Sequence, residues 1–294
     1  MTGPNFFVIG AAKAATTALY HALRRHDDVF LPEVKEPHVY AYLADRSVAG
    51  HLYRDEVAAR RRYGELYAGV DGQSAIGDSS TTNLVVGGAA EAIAADVPRA
   101  RIVAILRNPV DRAFAHWSHF RAAGGEPIAE FAEAVRQEGP RREAGFPFTY
   151  RYLGWGRYSA QLRPYLELFG RERVLVHLYD DLRADADAVL RRTLRFLGVD
   201  DAGAVPRLER RNEMRHPRFP AIGRALDGRG RAGRVIRAAV PAPARRAASG
   251  WTAAHLGRKP ALDPALRTEL TAQFAEELDC LEPLIGRDLS TWRA

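Results

Sequence analysis

An α/β fold, a mostly parallel sheet covered by helices, is predicted for this 294-residue chain by three observations. Short apolar runs alternate with amphipathic stretches of helical period, in the order strand, helix, strand, helix. Glycine stops follow the helical stretches. The length suffices to bury a sizeable core, in one large α/β domain or two small ones.

The elements follow in chain order. "FFVIG" (6–10) reads as a buried strand, and "TTALYHALRRH" (16–26) as a helix with Leu19, Ala22 and Leu23 on one face. "SAIGD" (74–78) is a shorter strand. "ARIVAILRNP" (100–109) is a strand stopped by Arg107-Asn108-Pro109, followed by a helix that ends at a Gly-Gly stop. "RVLVHLYDD" (173–181) reads as a third clear strand. "ADADAVLRRTLRFLGVD" (184–200) is a helix with Val189, Leu190, Leu194 and Leu197 inward and Gly198 as its stop. A last helix closes the chain near its end. The stretches 39–70 and 124–157 read as loop-and-helix insertions that wall a pocket. Residues 207–250 hold about a dozen arginines against three acids, and their Gly and Pro content predicts mobility. One domain over 1–294 is expected, because length and burial argue against a separate unit.

The single cysteine, Cys280, excludes an intrachain disulfide. No basic leader precedes the first strand and no apolar run approaches the ~18 residues of a membrane span, so a soluble, cytoplasmic protein is expected. The net charge of +7 favours anionic partners. Among 43 basic residues only Lys13, Lys35 and Lys259 are lysines. An arginine-rich composition that keeps a lysine suggests a site needing a compact point charge on a flexible stem.

Lys13 lies in a turn of small residues between the first strand and the first helix. Backbone N–H groups at such a helix start, with the helix dipole, favour an anion. Lys13 adds a full charge, and the hydroxyls of Thr16 and Thr17 add donors. The alternative is an N-cap threonine beside a solvated lysine. A Walker A loop would place its lysine directly before the hydroxyl residue and after a glycine; Gly10-Ala-Ala-Lys13-Ala-Ala-Thr16-Thr17 does neither. Asp78, at the end of "SAIGD", keeps a nucleotide triphosphatase or kinase as an alternative.

Arg107 emerges at the carboxyl end of a strand, where open α/β sheets bind ligands and a guanidinium grips phosphate. Its alternative role is to pair with Asp111 and cap the turn. "LPEVKEPHVYAY" (31–42) brings Lys35, Glu36 and His38 within four residues, a proton acceptor beside a cation, or else an exposed charged turn before a strand. His116 and His119 share a helix face, but no carboxylate or cysteine set completes a metal site. A non-enzymatic polyanion-binding protein using 207–250 is a further alternative, although no nucleic-acid-binding motif is present.

Together, "IGAAKAATTALYHAL", "KEPHVY" and "ILRNPVDRAFAHW" resemble the sulfotransferases that use 3′-phosphoadenosine 5′-phosphosulfate, in the branch of bacterial and heparan-type carbohydrate enzymes. "GRYSAQLRPYLELFGRERVLVHLYDDLRAD", "FLGVD" and "LIGRDLSTW" resemble that branch's later landmarks. The resemblance spans most of the chain, weakly in 39–70 and 225–260. It implies a P-loop-like three-layer fold with a central, mostly parallel sheet flanked by helices. It also implies transfer of a sulfuryl group to a hydroxyl, in preference to an amine, of a small-molecule, glycolipid or carbohydrate acceptor. The product is adenosine 3′,5′-bisphosphate and no metal is required. On these residues, Lys13, Ala14, Ala15, Thr16 and Thr17 would hold the 5′-phosphosulfate, and Arg107 the 3′-phosphate. Glu36 would be the general base, with Lys35 and His38 shaping its surroundings. Arg215 and Arg218 fall where relatives close over the nucleotide.

Three departures matter. The family usually carries glycine at Ala15, which narrows the clearance for phosphate while still permitting a helical conformation. The serine that partners the arginine would fall at Ala115, leaving Ser118, one turn on, as its substitute; losing such a bond weakens donor binding about tenfold or more. "GDSSTTNL" (77–84) stands where relatives often read G-E-x-S-P-x-Y, with Thr81 and Asn83 as replacements.

Overall fold

The computed structural model describes residues 3–200 and 261–294, with the backbone of a two-residue antiparallel pairing between 216–217 and 257–258. By contacts the chain falls into two compact units. The first comprises 1–112, 155–211 and 272–294; the second comprises 113–154 and 212–271.

The first unit carries a five-stranded sheet of β1 (Phe6–Gly10), β2 (Val29–Phe30), β3 (Ala75–Ser79), β4 (Arg101–Leu106) and β5 (Val174–Leu178). Their order is β2-β3-β1-β4-β5 and every pairing is parallel. This is the predicted α/β architecture. Parallel strands bury both faces, which is why β1 and β4 read as unbroken apolar runs. All five residues of β1 and the last five of β4 are buried. Around the sheet lie α1 (Thr16–Leu23), α2 (Val39–Ala44), α3 (Glu56–Glu65), α4 (Thr82–Val85) and α5 (Ala89–Asp96), and the start of α6 (Pro109–Ala122). After α7 (Phe131–Arg136) and α8 (Glu138–Glu143) of the second unit, the first resumes with α9 (Tyr158–Phe169), α10 (Tyr179–Ala184) and α11 (Ala186–Leu197). Helices α12 (Pro264–Gln273) and α13 (Ala275–Ile285) close the chain. No helix among the described residues is long and apolar enough to cross a membrane.

Two predicted elements change. The third strand stops at Leu178, because Asp181 turns the chain into α10. Its Oδ2 accepts the Leu178 amide at 3.0 Å, and Arg287 clamps the same carboxylate at 2.8 and 2.9 Å. Asp185 then starts a separate helix, its Oδ1 accepting Ala188 N–H at 2.9 Å. The "LPEVKEPHVY" turn leads into α2 instead of a strand, and two-residue β2 precedes it.

In the second unit, a buried ion pair organises the described part, 113–154. Arg141 forks onto Glu126 at 2.6 and 2.9 Å, and Tyr152 Oη and Ile128 N–H donate to the same carboxylate at 2.6 and 2.7 Å. The guanidinium lies 4.6 Å from the Tyr150 ring centre. Both Glu126 oxygens are satisfied, so removing the charge leaves Arg141 buried and unpaired. Glu126→Gln is therefore expected to cost ~3–5 kcal/mol of stability, read by urea denaturation; a cost below ~1 kcal/mol would refute this role.

Candidate active site

The strand order sets the site's position. After β1 the chain runs to one side of the sheet, and after β4 it runs to the other, so the crevice opens outside the carboxyl ends of these neighbours. Lys13 follows β1 and Arg107 follows β4. Gly10 ends β1 at φ 155°, where an added Cβ would meet Leu84 Cδ2 at 2.8 Å; only glycine fits.

Beyond it, Lys13 and Ala15 both adopt φ 70°, the left-handed region that L-residues avoid. Left-handed residues this close together turn successive N–H groups toward one concavity. Ala15 is the N-cap of α1 and offers no side-chain cap. The Thr16 and Thr17 amides thus keep the donors every helix start leaves over. Ala15 does not use the helical conformation that alanine permits: it is left-handed, the conformation glycine would take freely. Ala14 is fully buried and can contribute only backbone; Thr16 is buried and Thr17 half-buried. Among the described residues nothing accepts a hydrogen bond from the half-buried Lys13 ammonium. Its pKa is lowered from 10.5 to about 8, mainly by burial and then by Lys35, with Glu36 opposing and Arg112 adding.

Arg107 reaches the same loop, Nη1 donating to Lys13 O at 3.0 Å. Its guanidinium carbon lies 4.8 Å from the Tyr179 ring centre, and its carbonyl accepts from Tyr158 Oη at 2.8 Å. Capping of α6 falls instead to Asn108, whose Oδ1 accepts the Val110 and Asp111 amides at 3.0 and 3.2 Å. Arg107 has five donors, and among the described residues only Nη1 is engaged. Arg112, fully buried, adds charge behind Lys13.

The third part is the 35–38 loop, with Glu36 at φ 62° and His38 at φ 58°. Four of the five non-glycine positive φ values among the described residues thus fall in these two loops. Such strain, on the order of 1–3 kcal/mol each, persists only where surrounding bonds over-determine the backbone. Here Glu36 N–H donates to Ser79 O at 3.0 Å, His38 N–H to Ser80 Oγ at 3.2 Å, and Tyr53 Oη to Pro37 O at 2.5 Å. Lys35 Nζ donates to Glu36 Oε1, and Thr81 N–H to Oε2 at 2.7 Å. The Glu36 side chain keeps 24% exposure, so its carboxylate is accessible from solvent. His38 Nδ1 lies 2.8 Å from Thr82 Oγ1 and 3.8 Å from Glu36 Oε2. Burial pushes the His38 pKa down against the pull of Glu36, so the ring is neutral at pH 7.

The structure brings Lys13, Thr16, Thr17, Lys35, Glu36, His38 and Arg107 to one edge of the first unit. Ser118 is buried on the part of α6 belonging to the second unit. Arg215, Arg218 and the arginine-rich 207–250 lie outside the described residues apart from the backbone of 216–217. Sequence reasoning missed Thr81, Thr82 and Ser80 as partners of the loop, and Tyr158, Tyr179 and Arg112 around the cations. A readable signal existed for the first three: residues 78–83 are six consecutive polar residues after an apolar strand, and all are buried. Among the described residues no group of three or more His, Cys, Asp or Glu side chains is placed to hold a metal ion.

A left-handed, lysine-bearing loop over the carboxyl ends of adjacent parallel strands, without the Walker spacing, defines a P-loop-like fold. Residues 4–203 match the sulfotransferase family, and the chain belongs to it. It is similar to the crystal structure of a sulfotransferase from Alicyclobacillus acidocaldarius, with 30% identity, full coverage of both chains and a TM-score of 0.77. The sulfotransferase domain from the curacin biosynthetic pathway shares the fold, with a TM-score of 0.53 at 14% identity over 98% of this chain and 99% of that one. Human carbohydrate sulfotransferase 15 is 23% identical over 250 residues, 67% of this chain and 44% of that protein. The Xenopus laevis bifunctional heparan sulfate N-deacetylase/N-sulfotransferase 1 is 26% identical over 204 residues, 68% of this chain and 22% of that protein. The chain spans less than half the length of these curated relatives.

Proposed function

We propose that the protein moves a sulfuryl group from 3′-phosphoadenosine 5′-phosphosulfate to a hydroxyl, in preference to an amine, of a carbohydrate-type or small glycosylated acceptor. The observation that carries this is the Lys13 ammonium, half-buried without an acceptor among the described residues, on a loop that Arg107 also grips. A half-buried cation that no acceptor bonds is costly, and an anionic ligand offsets that cost. The donor supplies a sulfuryl group activated by its phosphate leaving group. Lys13, Thr16, Thr17 and the first amides of α1 bind and orient the 5′ end, and Arg107 is available for the 3′-phosphate. Glu36 takes the acceptor's proton at a carboxylate oxygen, while Lys35 holds that carboxylate and His38, tied to Thr82, borders it. Lys13 stabilises charge developing on the leaving oxygen. The carbohydrate acceptor is supported by the names of the curated relatives, both glycan sulfotransferases.

Adenosine 3′,5′-bisphosphate at ~100 times its Kd is expected to raise Tm by roughly 5 °C, and ATP with magnesium by much less. The binding should also carry the Lys13 titration. Below pH 8 the ammonium is charged before ligand arrives; above it, binding must first protonate the amine. Affinity should therefore hold through pH 7 and fall toward tenfold per pH unit above about 8, measured by calorimetry. Equal stabilisation by ATP, or affinity flat to pH 9.5, would overturn the donor assignment. A radiolabelled-donor screen over desulfated glycosaminoglycan oligosaccharides and simple glycosides tests the acceptor class; label appearing in none of them would reject it.

A further inference from the structure

We propose that Thr81 is a positioning residue for the transfer reaction, holding the Glu36 carboxylate through two separate groups and fixing where its remaining lone pairs face. The inference rests on the reading of Glu36 as the base. Thr81 N–H donates to Oε2 at 2.7 Å, and its hydroxyl lies 3.1 Å from Oε2 and 3.2 Å from Oε1. Lys35 Nζ donates to Oε1. A carboxylate presents about four lone-pair sites. Three are engaged, two of them by one residue that stands 45 positions away in sequence. One direction is left open for an incoming proton.

The mount is rigid for identifiable reasons. Thr81 is buried, in the turn between β3 and α4. Its neighbours hold the rest of the loop: Ser80 Oγ accepts the His38 amide and Thr82 Oγ1 pairs with His38 Nδ1. The turn is itself tied at both ends, by Tyr63 Oη donating to Asp78 Oδ2 at 2.9 Å and Tyr165 Oη donating to Asn83 O at 2.6 Å. A backbone N–H has no rotamer freedom, so the carboxylate plane is set by the main chain of another element. Of the three turn residues, Thr81 is the one that touches the carboxylate. Glu36 could not keep a single orientation on a left-handed backbone by its own rotamer preference alone; the Thr81 bonds supply it.

The test compares Thr81→Val, which keeps shape and N–H but loses the hydroxyl, with Thr81→Ser, which restores it. Both are also made in a Glu36→Gln background. Turnover is followed with radiolabelled 3′-phosphoadenosine 5′-phosphosulfate, as transfer to the glycosides of the screen and as sulfate released to water. Thr81→Val should lower kcat about tenfold, with donor KM and the bisphosphate-induced rise in Tm unchanged. Thr81→Ser should stay within about twofold of wild type. The double variant should be no slower than Glu36→Gln alone, because the hydroxyl acts only through that carboxylate. Wild-type kcat in Thr81→Val, equal losses in both Thr81 variants, or a valine penalty that persists without Glu36 would each overturn the proposal. Wild-type turnover in Glu36→Gln shows by itself that the base assignment has failed, and the Thr81 role falls with it.

Discussion

Glu36→Gln is expected to lower kcat by roughly 10²–10⁴-fold while leaving adenosine 3′,5′-bisphosphate binding within about twofold. Glutamine keeps the length and planarity of the side chain, and its Oε1 can still accept from Thr81 N–H or from Lys35. What it lacks is an oxygen able to carry away the acceptor's proton. Attack by a neutral hydroxyl then builds positive charge on the nucleophile with nothing to receive it, and the barrier rises by the general-base contribution, about 3–5 kcal/mol. Binding should survive because the cations proposed to hold the donor, Lys13 and Arg107, sit on the other loops. Their mutual bond, Arg107 Nη1 to Lys13 O, does not involve Glu36. A kcat within tenfold of wild type would reject Glu36 as the base. A parallel loss of bisphosphate binding would make it a structural anchor of the anion loop instead.

Much of this site was legible in the sequence, for reasons that differ residue by residue. The strands β1 and β4 could be read because parallel strands buried on both faces leave an unbroken apolar run, and Lys13 and Arg107 stand just beyond the ends of those runs. Helix α11 could be read because its inward residues recur at helical spacing over three turns. Two-residue β2 is too short to carry any period, and β5 was overextended because the effect of Asp181 depends on Arg287, 106 positions away. The left-handed turns at Lys13, Ala15, Glu36 and His38 were hidden for a related reason. No glycine marks them, and the bonds that hold the Glu36 and His38 turns come from Ser79 and Ser80, distant in sequence. Thr81 had a local signature, a polar residue in a buried polar run, but its partner could only be known once β3 was placed. Local chemistry was readable, and the pairings between loops were not.

Replacing Lys13 should separate stability from function in opposite directions. In Lys13→Met the stem and its packing remain and the charge goes. A fall in pKa from 10.5 to about 8 means the folded state holds this lysine's proton less well than the unfolded chain does. The charged lysine therefore costs the fold about 3 kcal/mol at pH 7. The sign follows directly: the cost is full below pH 8 and fades as pH rises from 8 to 10.5. The ligand-free variant should accordingly be more stable than wild type at pH 7, with the gain vanishing by pH 10.5. The same substitution removes the charge proposed to face the donor's phosphosulfate. Bisphosphate binding should weaken about 10–100-fold, and transfer should fall by at least ~10³, since the leaving oxygen loses its stabilising cation as well. Thermal denaturation with and without bisphosphate reads both effects on one sample, and at ~100 times the wild-type Kd the ligand should raise the variant's Tm by at most about half the wild-type shift. A less stable variant that binds normally would mean Lys13 braces the loop. A more stable variant that neither binds nor transfers would mean the fold carries an unfavourable charge whose compensation arrives with the donor, which is the behaviour of a binding site prepared in advance.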